Sequence, residues 1–360
     1  CRSDVKRFAL TFFPHLCPIT FSSMHEDFFA RYQADAGTRG LRDVTAAPRQ
    51  FAKTTIIAKI KIIHDCVYEL EHYIILISSR DEFAVDKVKD VRGELESNEA
   101  VLRVYGPQVG PVWNTDDIIT ANDVRVRAIA RGGAARGLLW GKFRPTKIVP
   151  DDAEHTVHVL TENQRQKTWD WFAEDISKLG DKDTNVEAIG TLLHQESLLA
   201  KLMKNPGYRA RRYQAVLQFA DASAVPLWQQ WREIFINLDD PDHITNARAF
   251  FEAHETEMLM GTEVLWPEEY SYYRLMVERL VDGDPAFFKE RQNQPQRAGD
   301  TLFAMDQAGY CSLTTDRLTR RDGRIMLFTQ LVDIVAFWDP AIGQGANPDW
   351  SVCVVLGKDQ

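Results

Sequence analysis

AAPRQFAKTT, residues 46–55, decides how this 360-residue chain is read. Lys53 and Thr54 are the K-[ST] pair that closes a phosphate-binding loop. In the general pattern G-x-x-x-x-G-K-[ST], backbone N–H groups cradle the phosphates, the Lys reaches the β and γ oxygens, and the hydroxyl completes a Mg2+ shell. Both glycine positions are alanine here, Ala47 and Ala52. Alone, A-K-T-T at a helix start marks an ordinary capped N-terminus more often than a nucleotide site. The setting argues for the loop: LRDVTAA (41–47) predicts a short strand, and TTIIAKIKIIHDCVYEL (54–70) has apolar residues at helical spacing. Strand, loop, Lys-Thr and helix come in the order that aims a helix N-terminus at phosphate.

Working outward, KIVPDDAE (147–154) supplies the other half. An apolar strand ending in Asp151 and Asp152 suits a site in which one carboxylate holds the Mg2+ and its neighbour orients or deprotonates the attacking water. Further strand candidates are HYIILISS (72–79), VRVRAIA (124–130) and NVEAIGT (185–191), with helical text such as RDEFAVDKVKDVRGELES (80–97) between several of them. This alternation predicts a largely parallel sheet with helices on both faces and ligands at the carboxyl ends of its strands. Residues 1–45 read as mostly helical. Residues 206–300 read as helical, aromatic and without strands. VDIVAFWDPAIG and WSVCVVLG, joined by a turn-rich segment, read as an antiparallel pair.

Length suggests two or three domains, and 44% hydrophobic with 26% charged residues is ordinary globular composition. No apolar run has membrane-spanning length, so no membrane association is expected. There is no signal-peptide layout, and a first residue of Cys rather than Met reads as the interior of a longer polypeptide. Five scattered cysteines without C-x-x-C spacing read as free thiols of a reducing compartment. His155 and His158 form an H-x-x-H without Cys partners, and no zinc site is expected from them. The net charge of -9 argues against a protein that grips DNA statically. A motor that releases its track each cycle needs only local basic patches, which ARGGAARGLLWGKFRP (130–145) and YRARRYQ (208–214) could supply.

Five motifs, taken in order, resemble the large terminase subunit of tailed bacteriophages, an ATP-driven DNA-packaging motor and nuclease. PRQFAKTT is similar to that family's deviant phosphate loop, with Arg49 accompanying the Lys. IARGGAARGLLWGKFRPTKIVPDDAE resembles its Gly- and Arg-rich approach through R-P to a D-D-x-E acidic motif. IGTLLHQESLLAKLMKN (189–205) resembles its coupling segment, a strand ending in Gly-Thr before a helix. VLWPEEYSYYRLMVERLVDGDPAFFKERQNQP resembles its W-P and F-x-x-E-x-x-x-x-P stretch. FWDPAIGQGANPDWSVCVVLG looks like the first hairpin of its RNase H-like nuclease.

The resemblance implies an α/β fold: a mostly parallel P-loop sheet of the RecA/ASCE kind flanked by helices (1–205), a helical lid (206–300), and the start of an RNase H-like domain (301–360). It implies that Arg49, Gln50, Ala52, Lys53, Thr54, Thr55 and Thr191 surround ATP, and that Thr54 and Asp151 hold Mg2+. Asp152 or Glu154 would position the water, with Asp152 preferred; Glu154 falls on the same side if the chain stays extended. Arg136 is the candidate for an arginine donated to a neighbouring subunit, an effect commonly worth about 10^3 to 10^5 in rate, followed by Arg131 and Arg144. His25 to Tyr32 are candidates for packing near the adenine, or for plain helix core. Asp339, with Asp349, would hold Mg2+ or Mn2+ in the nuclease, whose remaining acids would lie beyond Gln360. The implied partners are double-stranded DNA, a portal protein, the small terminase subunit and further copies in a ring, expected to be a pentamer, in the host cytoplasm and transiently on the procapsid. The competing readings are a superfamily-2-like helicase and a catalytically inactive ATP-binding protein. Two departures stand out. If position 52 needs positive φ, Ala costs roughly 1 kcal/mol or more. Pro150 removes a ladder donor, which a strand end tolerates.

Overall fold

Eight strands build the sheet that carries the site. They are β1 (Arg42–Ala46), β2 (Tyr73–Ser78), β3 (Val109–Trp113), β4 (Asp117–Thr120), β5 (Arg125–Ala130), β6 (Lys147–Pro150), β7 (Asn185–Gly190) and β8 (Arg209–Arg212), in the spatial order β3-β4-β5-β2-β6-β7-β1-β8. From β5 to β8 every neighbouring pair is parallel, while β3 and β4 add an antiparallel edge. The computed structural model describes residues 1–17, 20–133, 135, 137–295, 311–315, 317–320, 325–328, 331–339 and 352–359. They fall into two units, Cys1–Arg297 and Ala298–Gln360.

β2 shows why the sheet is two-faced. All six of its residues are buried. Ile74 and Leu76 join one apolar cluster and Tyr73, Ile75 and Ile77 the other, as the period-2 alternation of a strand requires. Helices α1 (Val5–Phe12), α2 (Ser23–Ala34), α3 (Lys61–Val67), α4 (Asp81–Ser97) and α5 (Glu99–Tyr105) contribute to the first cluster, and α6 (Glu162–Glu174) and α7 (Leu198–Lys204) to the second. The helix expected over 54–70 is a π-helical segment, Thr55–Ile60, running into α3.

The segment 206–300 is not strand-free. β8 lies beside β1 in the main sheet, so the sheet extends past the boundary expected at 205. β9 (Val216–Gln218) and β10 (Glu263–Val264) form a small antiparallel pair. The rest is helical: α8 (Val225–Phe235), α9 (His243–Ala253) and α10 (Glu255–Met258) enclose Trp231, Ala247, Phe251 and Met258, and α11 (Tyr272–Asp282) and α12 (Asp284–Glu290) follow. In the second unit, β11 (Cys311–Leu313), β12 (Arg317–Arg320) and β13 (Ile325–Leu327) form an antiparallel meander. β14 (Leu331–Asp339) and β15 (Val352–Asp359) form the expected antiparallel pair, with Asp339 opposite Val352. Among the described residues no helix is long and apolar enough to cross a membrane.

Candidate nucleotide site

The loop between β1 and the helix that begins at Lys53 is built from left-handed backbone and held from outside. Gln50 has φ 64° and Ala52 φ 50°, a region that non-glycine residues occupy at a cost of roughly 1–2 kcal/mol each. The surroundings impose the shape. Phe51 is fully buried and stacks on Tyr270 at 4.4 Å, and its carbonyl lies 3.0 Å from His25 Nε2. The Tyr270 hydroxyl donates to the Gln50 carbonyl (3.4 Å), Arg291 Nη2 donates to Gln50 Oε1 (3.2 Å), and the Arg49 N–H donates to the Glu290 carbonyl (3.0 Å). The helix carrying His25 thus packs on the loop, with His25, Phe28 and Phe29 buried. Ala52→Gly should remove the Cβ cost while giving freedom to the unfolded chain. The expected net is a stability gain of up to about 1 kcal/mol with nucleotide affinity retained, read from urea midpoints. A loss above about 1 kcal/mol would show that the alanine methyl contributes packing that outweighs the strain.

At the carboxyl edge of the sheet the two motifs meet. β7 lies between β1 and β6, so the loop strand and the acidic strand are one strand apart. Asp151 is fully buried; its Oδ1 accepts from Thr54 Oγ1 at 3.1 Å and its Oδ2 from Lys87 Nζ at 2.6 Å. Lys53 Nζ stands 3.9 Å from Asp152 Oδ2 and 3.5 Å from Thr191 Oγ1. The Thr191 N–H donates to Asp152 Oδ1 at 3.3 Å. A Cβ on Gly190 would lie 3.0 Å from that same oxygen, a tight contact that the glycine avoids. Lys53 is only 5% exposed, because it is folded in among Asp152, Thr191 and the loop. Arg49 does not reach this cluster: it is 69% exposed, 3.7 Å from the Glu290 carboxylate, at the rim of the cleft. Thr55 opens the π-helical segment, half-buried.

The two acids beyond Asp151 are placed differently by their backbone. Asp152 has φ 47°, so the chain does not stay extended, and Glu154 is not carried to the same side by a strand. Asp152 is half exposed and lines the cleft. Glu154 also borders the cleft but turns toward α7, where its Oε2 accepts from the Leu199 N–H at 3.3 Å and its buried Oε1 has no partner. Burial pushes the Glu154 carboxyl up to about 6, against the opposing pull of the Leu198 and Leu199 N–H groups, Arg131 and Lys201. Burial likewise pushes Asp151 up from its ordinary range, with Lys87 opposing.

A carboxyl whose value is higher folded than unfolded binds more protons in the folded state. Its stabilising protonation is complete below about 4.5 and lost as pH rises through about 6. Glu154→Gln mimics the neutral form. It should match wild type in urea midpoint at low pH and exceed it by about 1–2 kcal/mol at pH ~7.5. A variant less stable than wild type at the higher pH would contradict this.

Residues that sequence reasoning missed complete the cleft. Lys87 comes from α4. Asn293, buried with φ 49°, accepts from the Leu192 N–H at 2.9 Å and donates to the Tyr213 carbonyl at 2.9 Å, tying the segment after α12 to the residue following Thr191. The F-x-x-E-x-x-x-x-P pattern was the available signal, but it does not reveal what the residues hold. Thr54 Oγ1 and Asp151 Oδ1 are the hydroxyl and carboxylate a nucleotide-bound Mg2+ takes, the rest of its shell being phosphate and water. The donor set therefore fits Mg2+, and a larger acid cluster is not needed; among the described residues no group of three His, Cys, Asp or Glu is poised for a metal. His158 Nδ1 faces back to the His155 N–H at 3.1 Å, a local cap.

Among the arginines, Arg131 follows β5 at the site edge but donates from Nε to Thr168 on α6 at 3.0 Å. Arg144 is exposed near Glu174, Asp175 and Lys178, ahead of β6 and so at the opposite end of that strand from Asp151. Arg136 and Asp349 lie outside the described residues, and Asp339 ends β14. The basic run YRARRYQ is largely compensated: Arg209 pairs with Asp35 and Asp43 at 2.7 Å, and Arg211 lies 3.4 Å from Asp27.

No family model matches the chain, and no curated protein matches it. Among solved structures, the crystal structure of the HK97 bacteriophage large terminase is similar to it with a TM-score of 0.44 at 17% identity, over 82% of this chain and 55% of that one. The chain thus spans about half the length of that protein.

Proposed function

We propose that this chain hydrolyses ATP with Mg2+ to drive double-stranded DNA, as a packaging motor of the bacteriophage large terminase kind. The observation that carries the reading is the convergence of Lys53, Thr54, Asp151, Asp152 and Thr191 at one edge of a mostly parallel sheet, with the Gly-Thr strand set between the loop strand and the acidic strand. Lys53 and the loop N–H groups bind the terminal phosphates; Thr54 and Asp151 hold the Mg2+. The cation, when bound, neutralises charge on the β and γ oxygens. Asp152, facing the cleft beside Lys53, orients the attacking water.

Two contacts give the site an output. Thr191 touches both Lys53 and Asp152, and its neighbour Leu192 is bonded to Asn293 in the segment after the helical lid. Glu154 bonds the first turn of α7. A change in phosphate occupancy at Thr191 therefore has short covalent and hydrogen-bonded routes to α7 and to the lid. Assembly into a ring with portal protein and small subunit, and metal-dependent cleavage through Asp339, belong to the same proposal. A second, superfamily-2-like helicase reading would need another αβ repeat after β8; between 213 and 290 the described elements are helices and the short β9–β10 pair.

The test is phosphate release from ATP and Mg2+ with and without long double-stranded DNA. The expected result is turnover that DNA stimulates. No turnover under either condition, with nucleotide bound, would leave an inactive nucleotide-binding protein.

A further inference from the structure

Lys87 lines the cleft and has no part in the proposed mechanism. It stands on α4, well inside the helix, with its side chain only 14% exposed, and its ammonium group is 2.6 Å from Asp151 Oδ2. The other oxygen of that carboxylate receives Thr54. Lys53 is not its equivalent, since that lysine lies by Asp152 and Thr191. Each acid thus has its own lysine, and the fully buried one has the closer partner.

We propose that Lys87 is an internal counter-ion that competes with the divalent cation for Asp151, so that the cation binds firmly only together with nucleotide. This rests on the nucleotide-site reading above. A buried carboxylate without a partner is an uncompensated charge, and Lys87 removes that cost. A divalent cation on the same carboxylate meets the ammonium as a like charge at close range in a poorly screened site, which weakens binding of the cation alone. A triphosphate changes the balance at Lys87 because it brings several negative charges into the cleft, whose lining joins Thr54, Lys87 and Thr191 with the carboxylates Asp86, Asp90, Asp152, Glu154 and Glu290, so that the ammonium gains a phosphate partner while the cation offsets the added charge. The flexible lysine stem lets the ammonium turn to phosphate oxygen while the cation takes the carboxylate. Cation and nucleotide then bind cooperatively, and by linkage each tightens the other by the same factor.

The experiment titrates the full chain with Mn2+, following free Mn2+ by electron paramagnetic resonance, alone and with a non-hydrolysable ATP analogue, and takes the Mn2+ bound by the protein as the difference from the same titration of the analogue without protein. Wild type should bind Mn2+ alone weakly and at least tenfold more tightly with the analogue. Lys87→Met and Lys87→Gln should each bind Mn2+ alone at least tenfold more tightly than wild type, and the analogue should add less. Lys87→Arg should behave as wild type, and adding Asp151→Asn to Lys87→Met should abolish the gain. If Lys87→Met or Lys87→Gln, folded by circular dichroism, binds Mn2+ alone no more tightly than wild type while the analogue still tightens Mn2+ in wild type, the counter-ion role falls and the nucleotide site stands. If the analogue leaves Mn2+ affinity unchanged in wild type, the nucleotide site falls and this proposal with it.

Discussion

Lys53→Ala should lower ATP turnover by at least about 100-fold, the order expected when a preorganised group that stabilises transition-state charge is removed. The lysine begins the helix that follows the loop, 3.5 Å from the Thr191 hydroxyl and 3.9 Å from the Asp152 carboxylate, where a terminal phosphate would meet all three. Its burial raises the question of whether the variant simply unfolds. The structure argues otherwise, because the partner left behind is half exposed and water can solvate it. A stability loss within about 1 kcal/mol is expected, as for other ion pairs that solvent screens well. Phosphate release and urea midpoints measured on the same preparation separate the two effects. Turnover within about tenfold of wild type would remove the loop from the mechanism.

Asp152→Asn should cost about 10^2 to 10^4 in turnover, the range for a positioned general base or water-orienting group, while nucleotide affinity stays within about threefold of wild type. Asparagine is the informative choice. It tolerates the left-handed backbone at φ 47° and can still accept the Thr191 N–H, so geometry survives and only the charge and basicity go. Glu154→Gln is the paired control: its side chain is turned to the Leu199 N–H, and turnover should stay within about tenfold. The opposite pattern, with Glu154→Gln inactive and Asp152→Asn active, would transfer the role to Glu154 and require the segment after β6 to rearrange.

The difference between these two acids shows where sequence reading stops. The strand, loop and helix around Lys53, the acidic strand end and the Gly-Thr strand were legible because each is a local pattern: apolar runs of strand length, and a helix start after the loop. Whether Glu154 shares a face with Asp152 depends on one backbone angle, and no residue type announced that Asp152 would be left-handed. β8 was invisible for another reason. RARR has no apolar alternation, being an exposed edge strand in which Arg209 and Arg211 are matched by Asp27, Asp35 and Asp43 from far upstream. β3 was hidden by Gly110 and Pro111, residues that ordinarily argue against a strand and are tolerated here at the sheet edge. Lys87 and Asn293 reach the site from 64 and 101 residues away from their partners, on elements whose own patterns say only helix and loop. Nor does position in the motif fix where a long side chain goes: Arg49 stands at the rim of the cleft, 3.7 Å from the Glu290 carboxylate.

The central claim is that one cleft binds the triphosphate and its cation together. The measurement that tests it most directly is a crystal structure of the chain with Mg2+ and a non-hydrolysable ATP analogue. The account predicts the terminal phosphate at Lys53, the cation on Thr54 and Asp151, and Asp152 facing the phosphate with Thr191 beside it. An analogue bound with its phosphates away from Lys53, or a cation that avoids Asp151, would contradict it.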